Sequence, residues 1–343
     1  MELYEAPLPE LQAASSFVRR QYNGDRIYYN RNFHLEPSNI CTHRCRFCSY
    51  RRDDASRDGA WSLSLEQILP YCEAKFEAGM TEIHIVGSVQ PDKPFRYYER
   101  IVQLVHDFAR QKATAARPVT VKAYTAVEID DMCRSSRMPA DTVLERLKEA
   151  GLEAMPGGGA EIFAPHIRTR ICPDKCSGQR WLDIHRTAHL LGISTNATML
   201  FGHIESRSDR IDHLLALRDL QDETHGFNAF IPLKFRAAGN ELSHLGEIPQ
   251  EEVLRTIAIA RIALDNIPHI KAYWPMLGKE LAVEAMAWGA DDLDGTINDS
   301  TRIYSMAGAE EQHPALRVDE LQAMAESAGW KAVERDSFYR IIS

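Results

Sequence analysis

Short β-rich runs alternate with longer amphipathic runs along most of this 343-residue chain. Strands that alternate with helices are joined by crossovers and therefore run parallel. The expected strands lie near residues 33–39, 81–86, 119–124, 160–163, 194–200, 227–231, 269–274 and 291–294. The expected helices lie near residues 8–20, 64–78, 97–111, 141–150, 179–191, 209–220, 250–264 and 279–288. Eight such strands predict an α/β fold of the (βα)8 TIM-like barrel type.

The chain is expected to form one domain. No Gly/Ser-rich linker, low-complexity tract or fixed-period repeat interrupts the alternation, although the length alone would allow two domains. We expect an N-terminal helical extension over residues 1–32, a barrel over residues 33–310, and a C-terminal extension over residues 311–343 that packs on the barrel.

Composition and charge disfavour several classes of protein. Hydrophobic residues make up 44% of the chain and charged residues 26%, which is typical of globular proteins. The formal net charge of −9 disfavours nucleic acid as a partner. No apolar run approaches the roughly 18 residues of a membrane span, and the N-terminal segment does not resemble a signal peptide. We therefore expect a cytoplasmic protein whose seven cysteines are reduced thiols or metal ligands.

Three of these cysteines, Cys41, Cys45 and Cys48, lie on one short segment directly after the first expected strand. Three thiolates can hold three irons of a 4Fe–4S cluster and leave the fourth iron without a protein ligand. Ferredoxin-type sites supply four cysteines, whereas an open iron can coordinate a small molecule. Zinc is the alternative, but structural zinc sites normally use four ligands. The spacing favours a cluster that takes part in chemistry.

Two further features near the cysteines have two interpretations each. Cys172 and Cys176 are three residues apart, but no other cysteine lies close enough in sequence to complete a second metal site, so we expect inert thiols. Four arginines surround the triplet and form either a docking patch for an acidic electron donor or a solvated basic surface; they are Arg44, Arg46, Arg51 and Arg52.

Polar groups follow several expected strands, at the edge where barrel enzymes bind ligands. Gly87 and Ser88 follow the second strand, and Glu128 follows the third. Glu161 comes after three consecutive glycines, which permit a ligand to approach the backbone closely. Each carboxylate could instead form a structural ion pair. His203 follows an apolar strand that breaks at a glycine, and a lone histidine more often has a structural role.

Lys271 is expected to point into the barrel, because it shares a strand face with His269 and Tyr273. A buried ammonium group requires an anionic partner. That partner is either a substrate carboxylate or one of three nearby aspartates, Asp291, Asp292 and Asp294.

The Cys-x-x-x-Cys-x-Phe-Cys run resembles that of the radical S-adenosylmethionine (SAM) superfamily. The resemblance implies that SAM binds the open iron and that an electron from the cluster cleaves it to methionine and a 5′-deoxyadenosyl radical. It further implies a flavodoxin or ferredoxin-type protein as the electron donor.

The runs MPGGGAEIF, ATMLFGHIE, HIKAYW and GADDLDGT resemble those of the aminofutalosine synthases of menaquinone biosynthesis. This narrower resemblance implies that the radical adds to the aryl enol ether 3-(1-carboxyvinyloxy)benzoate, with rearrangement and decarboxylation. The alternatives are a dehypoxanthine futalosine cyclase, a non-catalytic iron–sulfur electron-transfer protein, and a zinc-stabilised binding protein.

The chemistry and position of the side chains, taken together with this resemblance, assign roles to individual residues, and the substrate group is chosen by chemistry alone. The cluster ligands would be Cys41, Cys45 and Cys48. The residues around the cofactor would be Phe47, Tyr50, Gly87, Ser88, Glu128, Glu161 and Thr198. The residues near the substrate, and so the catalytic group, would be His269, Lys271, Arg168 and His203. Gln90 stands where relatives commonly have a histidine, so no acid–base role is assigned to that position.

Overall fold

The structure, a computed structural model, describes residues 1–297, 305, 306, 308 and 315–342. The expected boundary at residues 310 and 311 lies outside this range. The strands are β1 (Arg26–Asn30), β2 (Asn32–Leu35), β3 (Glu82–Ile85), β4 (Thr120–Ala123), β5 (Ala154–Met155), β6 (Ser194–Phe201), β7 (Phe227–Lys234), β8 (His269–Ile270), β9 (Asp292–Gly295) and β10 (Lys331–Glu334).

The helices agree with the expected ones and add several that were not expected. They are α1 (Glu2–Glu5), α2 (Leu8–Asn23), α3 (Leu65–Lys75), α4 (Phe95–Lys112), α5 (Ala126–Ser136), α6 (Ala140–Glu149), α7 (Pro165–Ile171), α8 (Gly178–Leu190), α9 (Arg207–Thr224), α10 (Gln250–Ala263), α11 (Trp274–Leu277), α12 (Lys279–Ala285) and α13 (Val318–Ser327). Short 3-10 turns occur at Ser243–Leu245 and Met286–Trp288. No helix in the described part of the chain is long and apolar enough to cross a bilayer.

Seven strands form one parallel sheet in the order β2-β3-β4-β5-β6-β7-β8. The prediction of an α/β barrel-type fold is confirmed. The sheet continues past β8 through a single parallel bridge between Lys271 and Asp292 of β9. At the other edge, Asn32 N donates to Thr296 Oγ1 (3.0 Å), and that hydroxyl donates to Asn32 O (2.8 Å). In a regular barrel, a backbone ladder would join the last strand to β2. Here hydrogen bonds between the Thr296 hydroxyl and the Asn32 backbone take that place.

A second parallel sheet of three strands, β10-β1-β9, joins both ends of the chain to the barrel. Neither β1 nor β10 was expected. Both are short, and β10 is only partly buried, so their residues show no long apolar run. Arg335, which directly follows β10, donates from Nε to Asp292 Oδ2 at 2.6 Å, and both side chains are fully buried.

One expected strand, residues 160–163, is wrong. The strand in this part of the chain is β5, six residues earlier and only two residues long. Glu161 has a φ of +47°, which lies outside the extended region that a strand requires. The apolar side chains Ala160 and Ile162 are buried but belong to a loop. Their burial explains why they were mistaken for a strand.

Helical periodicity and capping account for the helices around the sheet. In α4, Tyr98, Ile101, Val102 and Val105 are buried at the spacing of one helix face. Helices α3, α5 and α9 each begin with a capping box, in which the first side chain and the one three residues later satisfy free backbone N–H groups. These helices pack around the parallel strands, and the loops that follow the strands therefore all lie at the same end of the sheet.

Candidate active site

A cavity of about 330 Å³ opens at the carboxyl ends of the parallel strands. Its rim includes the loops that follow β2 to β5 and residues that follow β7 and β8, and its floor consists mainly of side chains from the strands themselves. The volume lies within the range of roughly 300–1,000 Å³ that small-molecule sites occupy. All three residues of the cysteine triplet and most of the other predicted site residues line this one cavity.

Backbone hydrogen bonds hold the cysteine loop in place. Cys41 N donates to Arg52 O at 3.0 Å, and Cys48 N donates to Cys45 O at 3.1 Å. The hydroxyl of Ser88 lies 2.7 Å from Ile40 O and 3.0 Å from Ser38 O, so it fixes the start of the loop. Ser88 therefore lines the cavity as predicted, but its hydroxyl is used by the protein backbone.

The cysteine loop fits a 4Fe–4S cluster. All seven cysteines of the chain are free thiols, and the triplet projects into the rim of the cavity. No three His, Cys, Asp or Glu side chains among the described residues converge on one point as ligands of a single metal ion. Three thiolates that bind three different irons do not need such a point. Burial raises the pKa of the Cys45 thiol, and the ammonium of Lys175 opposes that effect.

Lys175 joins the cysteine loop to the glycine-rich loop. Its ammonium contacts the carboxylate of Glu161 and lies 5.2 Å from the ring centroid of Phe47. Lys175 and Glu161 are both largely buried and both line the cavity, and Glu161 adopts its left-handed φ at this contact. Strained backbone of this kind persists where the surrounding contacts hold it, and it is frequent at binding sites.

Glu128 has one carboxylate oxygen committed to the protein and one directed at the cavity. Its Oε2 accepts from Thr125 N (2.7 Å) and from Thr125 Oγ1 (2.9 Å), which completes the capping box of α5. Its Oε1 is the heavy atom nearest to a side chain placed at Gly87. Burial raises the pKa of Glu128, and the hydrogen bonds from Thr125 oppose that shift. The Thr-x-x-Glu pattern at residues 125–128 could have predicted the cap.

The predicted cofactor residues are brought together. All seven line the cavity, and they are Phe47, Tyr50, Gly87, Ser88, Glu128, Glu161 and Thr198. Thr198 Oγ1 donates to Gly157 O at 2.6 Å and so anchors the glycine-rich loop to β6. The side chain of Gln90 does not line the cavity; its Oε1 accepts from Ser62 Oγ at 3.3 Å.

Replacing Gly157 with alanine is expected to lower the free energy of unfolding by about 1–3 kcal/mol, because the added methyl overpacks a rigid contact. A Cβ at this position would lie 2.6 Å from Asn196 O and 2.7 Å from the carbonyl carbon of Ala197. The neighbouring Gly158→Ala is the matched control, since its Cβ would meet only the methyl of Thr125, at 3.0 Å. Urea denaturation measures the free energy of unfolding of both variants. Equal decreases in the two variants would contradict the close contact of Gly157 with the backbone of β6.

Of the predicted substrate residues, Lys271 lines the cavity and His269 does not. Lys271 Nζ donates to Asp294 Oδ1 at 3.2 Å, so of the two alternative partners the structure shows the aspartate. His269 stands at the amino end of β8, where its ring stacks on Tyr339 with centroids 3.5 Å apart and Nδ1 lies 2.5 Å from Asp291 Oδ2. His269 shares a strand face with Lys271, but it lies two residues closer to the amino end of the strand. Its side chain is therefore too far from the carboxyl ends of the strands to line the cavity.

Arg168 and His203 are also placed away from the cavity lining. The guanidinium of Arg168 donates to backbone carbonyl groups of the glycine-rich loop, including Ile162 O at 3.3 Å, and also contacts Cys176 O. The imidazole of His203 is fully buried, with Nδ1 3.0 Å from Glu205 and Nε2 3.1 Å from Leu200 O. Both residues stabilise loops rather than face the cavity.

The sequence analysis missed most of the cavity floor. Six side chains form it, and we call them the floor group: His34, Glu82, His84, Lys122, Lys271 and Asp294. His34, His84 and Lys122 lie side by side in register on β2, β3 and β4. A signal was present, because each is a polar residue between apolar neighbours in a buried strand, in the runs FHL, IHI and VKA.

Comparison with known proteins identifies the family. The model of the Radical SAM superfamily matches residues 35–217, and the model of the CofH/MqnC C-terminal region matches residues 224–342. An aminodeoxyfutalosine synthase of Thermus thermophilus is 43% identical over 97% of this chain and 88% of its own length. The crystal structure of methylornithine synthase (PylB) superposes with a TM-score of 0.73 at 17% identity, and covers 96% of this chain and 92% of that one.

Relatives with other names are also similar. A cyclic dehypoxanthine futalosine synthase of Streptomyces coelicolor is 36% identical over 94% of this chain and 79% of its own length. A 5-amino-6-(D-ribitylamino)uracil–L-tyrosine 4-hydroxyphenyl transferase of Archaeoglobus fulgidus is 36% identical over 95% of this chain and 91% of its own length. These matches confirm the resemblance drawn from the cysteine spacing. The chain therefore belongs to the radical SAM superfamily, whose enzymes use a 4Fe–4S cluster and S-adenosylmethionine.

Proposed function

We propose that this protein is an aminodeoxyfutalosine synthase. It would transfer the 5′-deoxyadenosyl group of SAM to 3-(1-carboxyvinyloxy)benzoate, with rearrangement and loss of one carboxylate as carbon dioxide or bicarbonate, and release methionine. The observation that carries this proposal is the 43% identity with the Thermus thermophilus synthase over 97% of the chain. The two other relatives, at 36% identity, define the competing substrates.

The cavity suits a reaction that needs a fixed geometry and little water. A reduced 4Fe–4S cluster held by Cys41, Cys45 and Cys48 would supply the electron that cleaves SAM to methionine and the 5′-deoxyadenosyl radical. Apolar side chains line the wall between rim and floor, and they include Leu200, Ile231, Leu233, Phe235 and Met276. Such a wall excludes water from reactive groups.

The protein groups around the rim have separate tasks in this proposal. Glu128 Oε1 and the backbone carbonyl groups near Gly87 would accept hydrogen bonds from the ammonium of the methionine part of SAM, a role supported by their position in the cavity lining. Glu161 and Lys175 form a buried ion pair, and either side chain could form hydrogen bonds with polar groups of the adenosine part of SAM. Phe47 offers its ring as a flat apolar surface at the cluster.

A flavodoxin or ferredoxin-type protein is the electron donor that we propose. The arginines around the cysteine loop are partly neutralised within the chain: Arg46 lies 3.1 Å from Glu241, and Arg51 contacts Asp53. The positive electrostatic potential around the cysteine loop is therefore weaker than four unpaired arginines would produce. The rate at which an acidic donor protein reduces the cluster should depend only moderately on salt concentration.

The test is a product assay under anaerobic conditions. The reconstituted enzyme is incubated with dithionite, SAM and 3-(1-carboxyvinyloxy)benzoate, and we expect aminodeoxyfutalosine and methionine in equal amounts. Two parallel reactions replace the enol ether with dehypoxanthine futalosine, or with 5-amino-6-(D-ribitylamino)uracil plus L-tyrosine. Product in either parallel reaction, with none from the enol ether, would contradict the proposal. Mass spectrometry distinguishes all three outcomes.

A further inference from the structure

The floor group lies on or beside the strands, whereas the cysteine loop belongs to the rim of the cavity. The cysteines follow the carboxyl end of β2, whereas His34 and His84 lie within β2 and β3 themselves. The two imidazole rings meet edge to face, with centroids 4.8 Å apart. Lys122 Nζ lies 2.5 Å from Glu82 Oε2, and Lys271 Nζ lies 3.2 Å from Asp294 Oδ1. Six ionisable side chains thus meet at the base of one apolar-walled cavity.

The charges of the floor group balance before any ligand binds. Two ammonium groups face two carboxylates, and burial keeps the imidazoles neutral by lowering the pKa of His34 to about 4 and that of His84 well below its usual value. An ammonium group has three N–H donors. One hydrogen bond to Asp294 uses one donor of Lys271, and the contact with Glu82 uses one of Lys122. Within the described part of the chain, these contacts leave N–H donors on both ammonium groups for an anion.

His84 supplies a further polar atom at this position. Its Nε2 is buried and has no hydrogen-bond partner among the residues that the structure describes. A buried polar atom without a hydrogen-bond partner destabilises the protein, so a ligand that pairs with it is favoured. Glu82 Oε2 also accepts a hydrogen bond from Ser337 Oγ at 2.8 Å, which restricts the position of the carboxylate. A fixed carboxylate in turn orients the ammonium of Lys122 towards the cavity.

We propose that Lys122, Lys271 and His84 form the subsite that binds the aryl carboxylate of the substrate. The inference rests on the proposed function. The vinyl carbon of the enol ether must lie beside the 5′-carbon of SAM, which is held at the rim. The ring carboxylate is the substrate group most distant from that carbon, so it reaches the floor. A carboxylate there would accept charge-assisted hydrogen bonds from two ammonium groups, which offset part of the cost of burying its charge.

Binding, rather than turnover, tests this subsite. The anaerobic holoenzyme with SAM and no reductant is titrated with 3-hydroxybenzoate and with 3-hydroxybenzamide, which differ in the carboxylate alone. Charge-assisted hydrogen bonds are worth about 1.5–3 kcal/mol, so the wild-type protein should bind the benzoate about 10- to 100-fold more tightly. Lys122→Met should reduce this ratio by about tenfold. His84→Phe should reduce it less, because the imidazole is neutral.

The matched control is Lys112→Met, which removes a lysine paired with Glu73 at the surface (2.9 Å) and should leave the ratio unchanged. If Lys122→Met does not fold, Glu82→Gln combined with Lys122→Met removes both charges together. An unchanged ratio in folded floor variants would overturn the inference, even where the wild-type enzyme makes aminodeoxyfutalosine. A ratio that depends on Lys122, in a wild-type protein that makes no aminodeoxyfutalosine, would support the carboxylate subsite and reject the proposed function.

Discussion

Replacing Cys45 with serine is expected to abolish the formation of methionine from SAM and of any coupled product. Cys45 is 9% exposed, and it lines the cavity between the two other cysteines of the loop. Iron–sulfur clusters select soft thiolate ligands, and a serine hydroxyl is a hard and weakly acidic oxygen. We expect iron and acid-labile sulfide after anaerobic reconstitution to fall to a small fraction of the wild-type content, with activity at the background level.

Cys176→Ser provides the matched control for this variant. Cys176 directly follows Lys175 in the chain but does not line the cavity, so its thiol is not among those that face the expected cluster. Its backbone carbonyl, not its sulfur, accepts from Arg168. The control should retain iron, sulfide and SAM cleavage. Full cluster content in the Cys45 variant, or its loss from the Cys176 variant, would reject the assignment of ligands.

The cysteine loop could be predicted from the sequence because its chemistry is local. The three ligands lie within one loop, and their spacing alone indicates the cluster. The floor group could not be predicted in the same way, because five members come from four different strands and Lys271 follows a fifth, so they meet only when the sheet forms. Even so, a polar residue inside a buried strand, as at His84, carried a usable signal.

The misplaced substrate residues show a second limit. Strand periodicity correctly placed Lys271 in the cavity, but it gives no depth along the barrel, so His269 was grouped with it. Arg168 was expected near the substrate, whereas the residue is only 5% exposed and its guanidinium donates to loop carbonyl groups. Backbone carbonyl groups are present at every residue, and no sequence pattern shows which of them a guanidinium will meet.

The pairing of both chain ends was also beyond local patterns. Strands β1 and β10 are separated by about 300 residues of sequence, yet they pair side by side. A pattern within a short stretch of sequence does not reveal a partner that distant. A buried ion pair between Arg335, directly after β10, and Asp292 of β9 connects the same C-terminal segment to the core. The cost of breaking this pair therefore measures how firmly the C-terminal segment is attached to the barrel.

Replacing Arg335 with methionine is expected to lower the free energy of unfolding by about 3–5 kcal/mol at pH 7, because it leaves a buried carboxylate without its partner. Arg335 Nε donates to Asp292 Oδ2 at 2.6 Å, and its guanidinium lies 4.3 Å from the ring centroid of Tyr339. Arg134→Met is the control, since its ion pairs with Asp130 and Asp131 are at the surface and should contribute about 1 kcal/mol or less.

The loss in the Arg335 variant should depend on pH in a direction set by Asp292. In the wild-type protein burial raises the pKa of Asp292, but Arg335 and then Lys271 outweigh burial, so the pKa is lowered. This group therefore stabilises the fold above its unfolded pKa of about 3.9, and the contribution is lost as pH falls through the lower folded value. Without Arg335, burial should raise the folded pKa, so protonation relieves the variant at acidic pH. Urea denaturation at pH 7 and pH 5 should show a smaller difference from wild type at pH 5, and a constant difference would mean that Asp292 is not left as an uncompensated charge.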